Sequence, residues 1–277
     1  MADKSLPFNK VQIQQIINKF PTPFHIYDEA AIRANARRLT KAFAWAPAFK
    51  EYFAVKATPN PTLLKILAEE GFGADCSSLP ELLLADMSGI KGEDIILTSN
   101  DTPADEFQKA IDLGAVINLD DITHIEYLEK NVRLPEFISF RYNPGPLLES
   151  SNTIIGKPEE AKYGLTREQL FEAYKIVKEK GVKRFGLHTM VISNELNADC
   201  FIATAQMMFE LAVELKQQLD IDLEFVNLGG GVGIPYTPEQ EEVDLEYVGA
   251  GIQKVYQNTI EKNNLKPLKI AMELGRS

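Results

Sequence analysis

The chain is poor in cysteine, histidine and positive charge, and it has no apolar run long enough to cross a bilayer. Each shortage excludes something. With only Cys76 and Cys200 among 277 residues, no disulfide framework can be the basis of the fold, and a domain of this length does not need one; both read as reduced thiols. His25, His124 and His188 are widely separated, so no metal-ligand cluster is visible and no metal is expected. Lys and Arg number 29 against 40 Asp and Glu, with the acidic excess spread along the chain, which argues against nucleic acid or an anionic membrane as partner and for a small molecule. MADKSLPFNK lacks a basic segment leading into an apolar stretch, so a cytoplasmic location is expected.

What is present is order. Apolar residues make up 45% of the chain, enough for a sizeable core, and β-rich runs alternate with amphipathic helical stretches from about residue 50 onward. Candidate strands run Glu51 to Val55, Phe72 to Cys76, Ile95 to Ser99, Ala115 to Leu119, Phe137 to Asn143, Arg184 to Met190, Leu223 to Leu228 and Leu268 to Glu273. The clearest helix between them sets Phe201, Ala205, Met208, Phe209, Ala212 and Leu215 on one face, with Glu210, Glu214 and Lys216 largely off it. Strands and helices in this number and order predict a closed (β/α)8 barrel, a TIM barrel, over residues 49–277. An open dinucleotide-binding sheet would carry its glycines after the first strand, and here they follow the seventh. Residues 1–48 are expected to form an extension packed on the barrel: a helix over Val11 to Phe20, a strand over Phe24 to Tyr27, then a further helix.

A barrel gathers its chemistry where strands end, so polar residues at the strand C-termini can be read together. Lys56 closes the run Tyr52-Phe53-Ala54-Val55-Lys56-Ala57, where an apolar strand delivers an amine to the barrel mouth; a desolvated amine there could form a Schiff base, while a plainer reading is a lysine reaching solvent. Asn227-Leu228-Gly229-Gly230-Gly231-Val232-Gly233 follows strand seven, where backbone N–H groups can cradle phosphate or where a mere turn would also suit glycine. Ile234-Pro235-Tyr236-Thr237-Pro238 cannot continue as the helix of a dinucleotide fingerprint. Glu273-Leu274-Gly275-Arg276 ends strand eight, beside strand seven, where an arginine could meet the same anion or simply form a surface ion pair.

Together these segments resemble the fold-type III pyridoxal-phosphate enzymes, and within them the decarboxylases of diaminopimelate and of basic amino acids. The resemblance runs from Pro21-Thr22-Pro23-Phe24-His25-Ile26-Tyr27-Asp28 to Arg276. Its carriers are Ala54-Val55-Lys56-Ala57, Gly73-Ala74-Asp75-Cys76-Ser77-Ser78, Arg141-Tyr142-Asn143-Pro144-Gly145, Lys162-Tyr163-Gly164-Leu165, Gly186-Leu187-His188, Gly229-Gly230-Gly231 and Glu273-Leu274-Gly275-Arg276. It implies a barrel of the alanine racemase-like type, pyridoxal 5'-phosphate as cofactor and an amino acid as substrate. By the same resemblance Lys56 is the Schiff-base lysine, Gly229 to Gly231, Ser193 and Arg276 hold the cofactor phosphate, and Glu273 meets the pyridine nitrogen. Asp75, Glu81 and Arg141 match active-site positions, Asp75 on the cofactor side and the other two as substrate or active-site wall.

One departure stands out. The family usually has a histidine two residues after His188, stacked on the cofactor ring; the run here is His188-Thr189-Met190-Val191-Ile192-Ser193, so either Met190 covers the ring or His188 takes that part. Racemases of this fold place an arginine at the ring nitrogen, so Glu273 implies decarboxylation instead. The expected reaction is meso-diaminopimelate to L-lysine plus CO2, a step of lysine biosynthesis. Ornithine, arginine and carboxynorspermidine are alternative substrates, and a non-catalytic pyridoxal-phosphate-binding or regulatory barrel is the alternative from another class. Relatives carry a C-terminal β domain after the Glu-x-Gly-Arg motif and work as homodimers; that domain is absent from this sequence, so the 277-residue chain alone is expected to lack decarboxylase activity.

Overall fold

A computed structural model describes residues 7–145 and 163–276. Lys162 of the Lys162-Tyr163-Gly164-Leu165 motif lies outside the described residues. Eight parallel strands close into a barrel in chain order: β1 (Phe49–Ala54), β2 (Gly73–Cys76), β3 (Ile95–Ser99), β4 (Val116–Leu119), β5 (Phe137–Tyr142), β6 (Arg184–Thr189), β7 (Leu223–Asn227) and β8 (Lys269–Met272). All lie where the sequence places them, to within a residue or two at the ends. Pairing of Phe49 with Ile270 and of Glu51 with Met272 makes the closing seam between β1 and β8.

Alternation along the strands sorts the core into an outer and an inner part. Outward-facing Val55, Ala74, Ile95, Ile117, Ile138, Leu187, Val226 and Ile270 pack against the surrounding helices in one continuous cluster. A separate, smaller cluster of Tyr52, Ile96, Val116, Phe225 and Ala271, with Phe137 against it, plugs the barrel interior. Two inward positions leave room for its rings: a Cβ at Gly73 would sit 2.7 Å from the Tyr52 ring, and one at Gly186 would sit 2.3 Å from that of Phe225. The Tyr52 hydroxyl donates to the Glu93 carbonyl at 2.9 Å and accepts from Lys269 Nζ at 3.2 Å, fixing this end of the plug.

One inward step above the plug, toward the strand C-termini, the side chains turn polar: Asp75, Thr98, Asn118, Ser139, His188, Asn227 and Glu273. Period-two alternation therefore builds an apolar floor and a polar layer from the same strands. The layer is what positions the site.

Outside the barrel lie α3 (Pro61–Glu69), α4 (Leu79–Met87), α5 (Ala104–Leu113), α6 (Thr123–Asn131), α7 (Arg167–Glu179), α8 (Ala198–Leu219) and α9 (Leu245–Tyr256). Helix α8 buries Phe201, Ala205, Met208, Phe209, Ala212 and Leu215, the face read from the sequence.

The N-terminal extension differs from expectation. Its α1 (Lys10–Lys19) forms, with a capping box between Asn9 and Gln12, but buries no residue fully. Phe24 to Tyr27 is unpaired backbone and not a strand. A strand needs an edge to pair with, and a closed barrel offers none. Helix α2 (Glu29–Ala42) docks, burying Ala36 and Leu39.

Candidate active site

At the C-terminal mouth of the barrel a cavity of about 390 Å³ is lined by Ala54, Lys56, Ala57, Met190, Ser193, Asn194, Gly231, Val232, Glu273, Gly275 and Arg276. Six of the expected site residues thus share one wall: Lys56, Met190, Ser193, Gly231, Glu273 and Arg276. Lys56 sits in a single 3-10 turn, Val55–Ala57, directly after β1, and its side chain is exposed. The desolvation expected for it is therefore absent; the strand carries the amine beyond the apolar layer into the open mouth.

Glu273 has a different environment. It is buried at the base of the cavity, where Asn227 Nδ2 donates to Oε1 at 2.7 Å and His188 Nε2 lies 3.1 Å from Oε2. Burial alone pushes its carboxyl up, but His188, Arg141 and the Asn227 N–H outweigh this and hold it below the ordinary carboxylate range. Asp75 goes the other way. Burial first, and then the Glu273 charge, raise its carboxyl well above the usual value, against the partial opposition of Lys56 and Arg141. Two acids in one polar layer are thereby pushed in opposite directions, Glu273 toward the carboxylate and Asp75 toward the protonated form.

The remaining expected residues stand behind the cavity wall. His188 is almost wholly buried, between Asn118 Nδ2 on Nδ1 at 3.1 Å and Glu273 on Nε2, and has no free face on which a ring could stack. Of the two side chains left open for covering the cofactor ring, Met190 lies on the cavity wall, and His188 lies behind it against Glu273. Arg141 is held by Asp120 at 2.8 Å and lies 5.1 Å from the Tyr163 ring centre. Glu81, in the first turn of α4, accepts from the Ser77 amide at 2.8 Å. Neither lines the cavity.

The glycine run is also built differently from a bare cradle. Gly229 N–H donates to Asn227 Oδ1 at 2.9 Å and Gly230 N–H to Met190 Sδ at 3.2 Å; only the Gly231 amide is without a partner among the described residues. Glycine is needed here because the backbones crowd. A Cβ would stand 2.2 Å from Thr189 O at Gly229, 2.0 Å from Glu273 O at Gly230 and 2.3 Å from Ile192 O at Gly231. Arg276 is exposed and hydrogen-bonded to the Tyr236 hydroxyl at the rim.

Asn118, Asn227 and Asp120 were not singled out in the sequence, although a signal existed. Asn118 and Asn227 stand two positions beyond the plug residues Val116 and Phe225, and Asp120 two beyond Asn118, so counting by twos along each strand finds them.

An amine, a carboxylate, an arginine and a free amide around one cavity fit a phosphorylated pyridine aldehyde, and the family comparison agrees. Residues 29–277 match the family described as pyridoxal-dependent decarboxylase, pyridoxal binding domain. The chain belongs to the pyridoxal-dependent decarboxylases. It is 37% identical over 264 residues to Protein TabA of Pseudomonas amygdali pv. tabaci and 30% identical over 263 residues to the diaminopimelate decarboxylase of Methanothermobacter thermautotrophicus, covering 95% of this chain and 61% of each relative. The crystal structure of diaminopimelate decarboxylase from M. jannaschii in co-complex with L-lysine superposes with a TM-score of 0.87 at 26% identity, over 95% of this chain and 63% of that one. The chain thus spans about three fifths of the length of the curated relatives it matches. Among the described residues no helix is long and apolar enough to cross a membrane.

Proposed function

We propose that this chain is the cofactor-holding barrel of a pyridoxal-phosphate-dependent amino-acid decarboxylase, with meso-diaminopimelate as substrate. The observation that carries the reading is Glu273, a buried carboxyl held on both oxygens by Asn227 and His188 at the base of the mouth cavity that Lys56 and Arg276 also line. When bound, pyridoxal phosphate supplies an electron sink for the pair left behind as the substrate carboxylate leaves as CO2.

The protein's part is to hold and to aim. Glu273 would accept a charge-assisted hydrogen bond from the ring nitrogen and keep a proton there, stabilising charge where it develops. Asn227 and His188 fix both of its oxygens, so the carboxylate is aimed before any ligand arrives. Lys56, exposed at the end of β1, offers its amine to the cofactor aldehyde, and Arg276 with the Gly231 amide would bind the phosphate dianion. Met190 and the small Ala54 and Ala57 form apolar wall on which a flat ring can pack. The same reading makes the working unit a cytoplasmic homodimer, which sedimentation of the protein would test.

A second substrate reading has a specific observation behind it: identity to TabA, at 37%, exceeds that to the diaminopimelate decarboxylase, at 30%. The test is therefore a panel. Pyridoxal phosphate binding to the 277-residue chain is followed by visible absorbance, and CO2 release by the full-length gene product is measured with meso-diaminopimelate, ornithine, arginine and carboxynorspermidine. Release from diaminopimelate alone supports the reading, release from another member replaces the substrate, and failure to bind the cofactor ends it.

A further inference from the structure

The strand that delivers Lys56 also carries an acid on its helix-facing side. Along β1 the inward positions are Tyr52, in the plug, and Ala54, on the cavity wall, so Glu51 points outward with Phe49 and Phe53 on either side of it. It is 1% exposed. A carboxyl is costly in such a place unless a partner compensates, and the partner is a backbone amide: Leu274 N–H donates to Glu51 Oε1.

This bond stands where a main-chain bond belongs. The β1–β8 seam starts as a regular ladder, with Ile270 N–H donating to Ala48 O at 2.9 Å and with Phe49 paired to Ile270 and Glu51 to Met272. Continued for one more rung, a parallel pair would send Leu274 N–H to the Tyr52 carbonyl and Ala54 N–H to the Leu274 carbonyl. The second bond forms, at 3.1 Å; the first is replaced by the Glu51 side chain. Leu274 is thus held by β1 at both of its backbone groups, although β8 has ended at Met272.

The residues on either side of this rung are those of the candidate site. Glu273 precedes Leu274 and Arg276 follows two residues later, while Lys56 stands two residues beyond Ala54. Gly275 lies directly against the segment that carries Lys56: a Cβ there would sit 3.0 Å from that of Ala54 and 2.8 Å from that of Ala57. Burial above all, then the Glu273 and Asp75 charges, raise the Glu51 carboxyl well above its ordinary value. The protonated form so favoured still accepts through its carbonyl oxygen, and it adds no second negative charge beside Glu273.

We propose that Glu51 is a positioning residue: by taking the Leu274 amide it fixes the turn after β8, and with it the spacing of Glu273 and Arg276 from Lys56. The consequence for cofactor binding rests on the roles proposed above for those three residues, whereas the hold on Leu274 does not.

Hydrogen–deuterium exchange of the 15N-leucine-labelled protein without cofactor reads the hold directly, with Leu274→Ile assigning the signal by its loss. In the unaltered protein the Leu274 amide should exchange as slowly as that of Leu228, which donates to Ala271 O at 2.9 Å. Glu51→Gln keeps a neutral acceptor of the same shape and should preserve this protection, while Glu51→Met, which keeps the length and loses the acceptor, should speed exchange by about tenfold. Pyridoxal phosphate titrations should follow the same order, with Glu51→Gln binding as the parent does and Glu51→Met binding about tenfold more weakly. Fast exchange of Leu274 in the unaltered protein would overturn the proposal without any Glu51 variant being needed. So would unchanged protection in Glu51→Met, Glu51→Gln behaving as Glu51→Met does, or a Glu51→Met protein that frees the amide yet binds the cofactor as tightly as the parent. If the unaltered protein binds no pyridoxal phosphate, the functional reading falls, and the exchange rates still decide whether Glu51 holds the turn.

Discussion

Gly230→Ala adds a single methyl group, and the structure says where it goes. Its Cβ would sit 2.0 Å from the Glu273 carbonyl oxygen and 3.0 Å from the carbonyl carbon, both backbone atoms that cannot rotate away. Relief requires β7 and β8 to part just beyond their ends, where Glu273 N–H donates to Gly229 O and Leu228 N–H to Ala271 O, each at 2.9 Å. Overpacking of this kind costs about 1–3 kcal/mol, and a buried backbone hydrogen bond left unmade costs about 1–3 kcal/mol more. A total of about 2–6 kcal/mol lowers Tm by roughly 4–24 °C in a domain of this size. The same displacement moves Glu273 off its contacts with Asn227 and His188, so pyridoxal phosphate affinity should fall together with stability. Thermal unfolding followed by circular dichroism and a cofactor titration by absorbance measure the two losses. An unchanged Tm with unchanged affinity would refute the argument, and an unchanged Tm with lost affinity would show that this glycine serves the phosphate directly and not the β7–β8 seam.

Borohydride reduction of the cofactor-loaded protein followed by peptide mapping should place the pyridoxyl label on Lys56, and Lys56→Ala should leave Tm within roughly 2 °C because the side chain is exposed. Arg276→Ala should weaken pyridoxal phosphate binding by about tenfold, the low end for a charge-assisted bond, since this guanidinium faces solvent; titration of the variant checks it. Glu51 is wholly buried, and burial above all, then the Glu273 and Asp75 charges, raise its carboxyl well above the ordinary value despite the Leu274 N–H that it accepts. A raised folded-state value gives stability that is complete below the unfolded value of about 4.3 and is lost as pH rises toward the folded value. Glu51→Gln, which mimics the protonated form, should therefore gain Tm over the parent progressively from pH 5 to pH 8; a constant difference across that range would show that Glu51 does not titrate there.

The sequence by itself determined the barrel, its strand order and the residues at the strand ends. Strand identity follows from local pattern: β-branched and aromatic runs such as Ile95 to Ser99, separated by helices whose apolar faces repeat every three to four residues. Lys56, Glu273 and Arg276 were legible for a related reason, since strand C-termini in a barrel converge whatever their distance along the chain. Tertiary structure alone decided what each of these residues experiences. It exposed Lys56, and it drew the Glu273 carboxyl below its ordinary range by setting His188 and Asn227 from β6 and β7 against it. It also set His188 in the barrel interior and Met190 on the cavity wall, and left Phe24 to Tyr27 without a strand partner. Protonation, tautomer and exposure depend on distances between strands far apart in sequence and on how much water a cavity admits. Neither quantity is carried by a residue's immediate neighbours in the chain, so only the closed barrel could settle them.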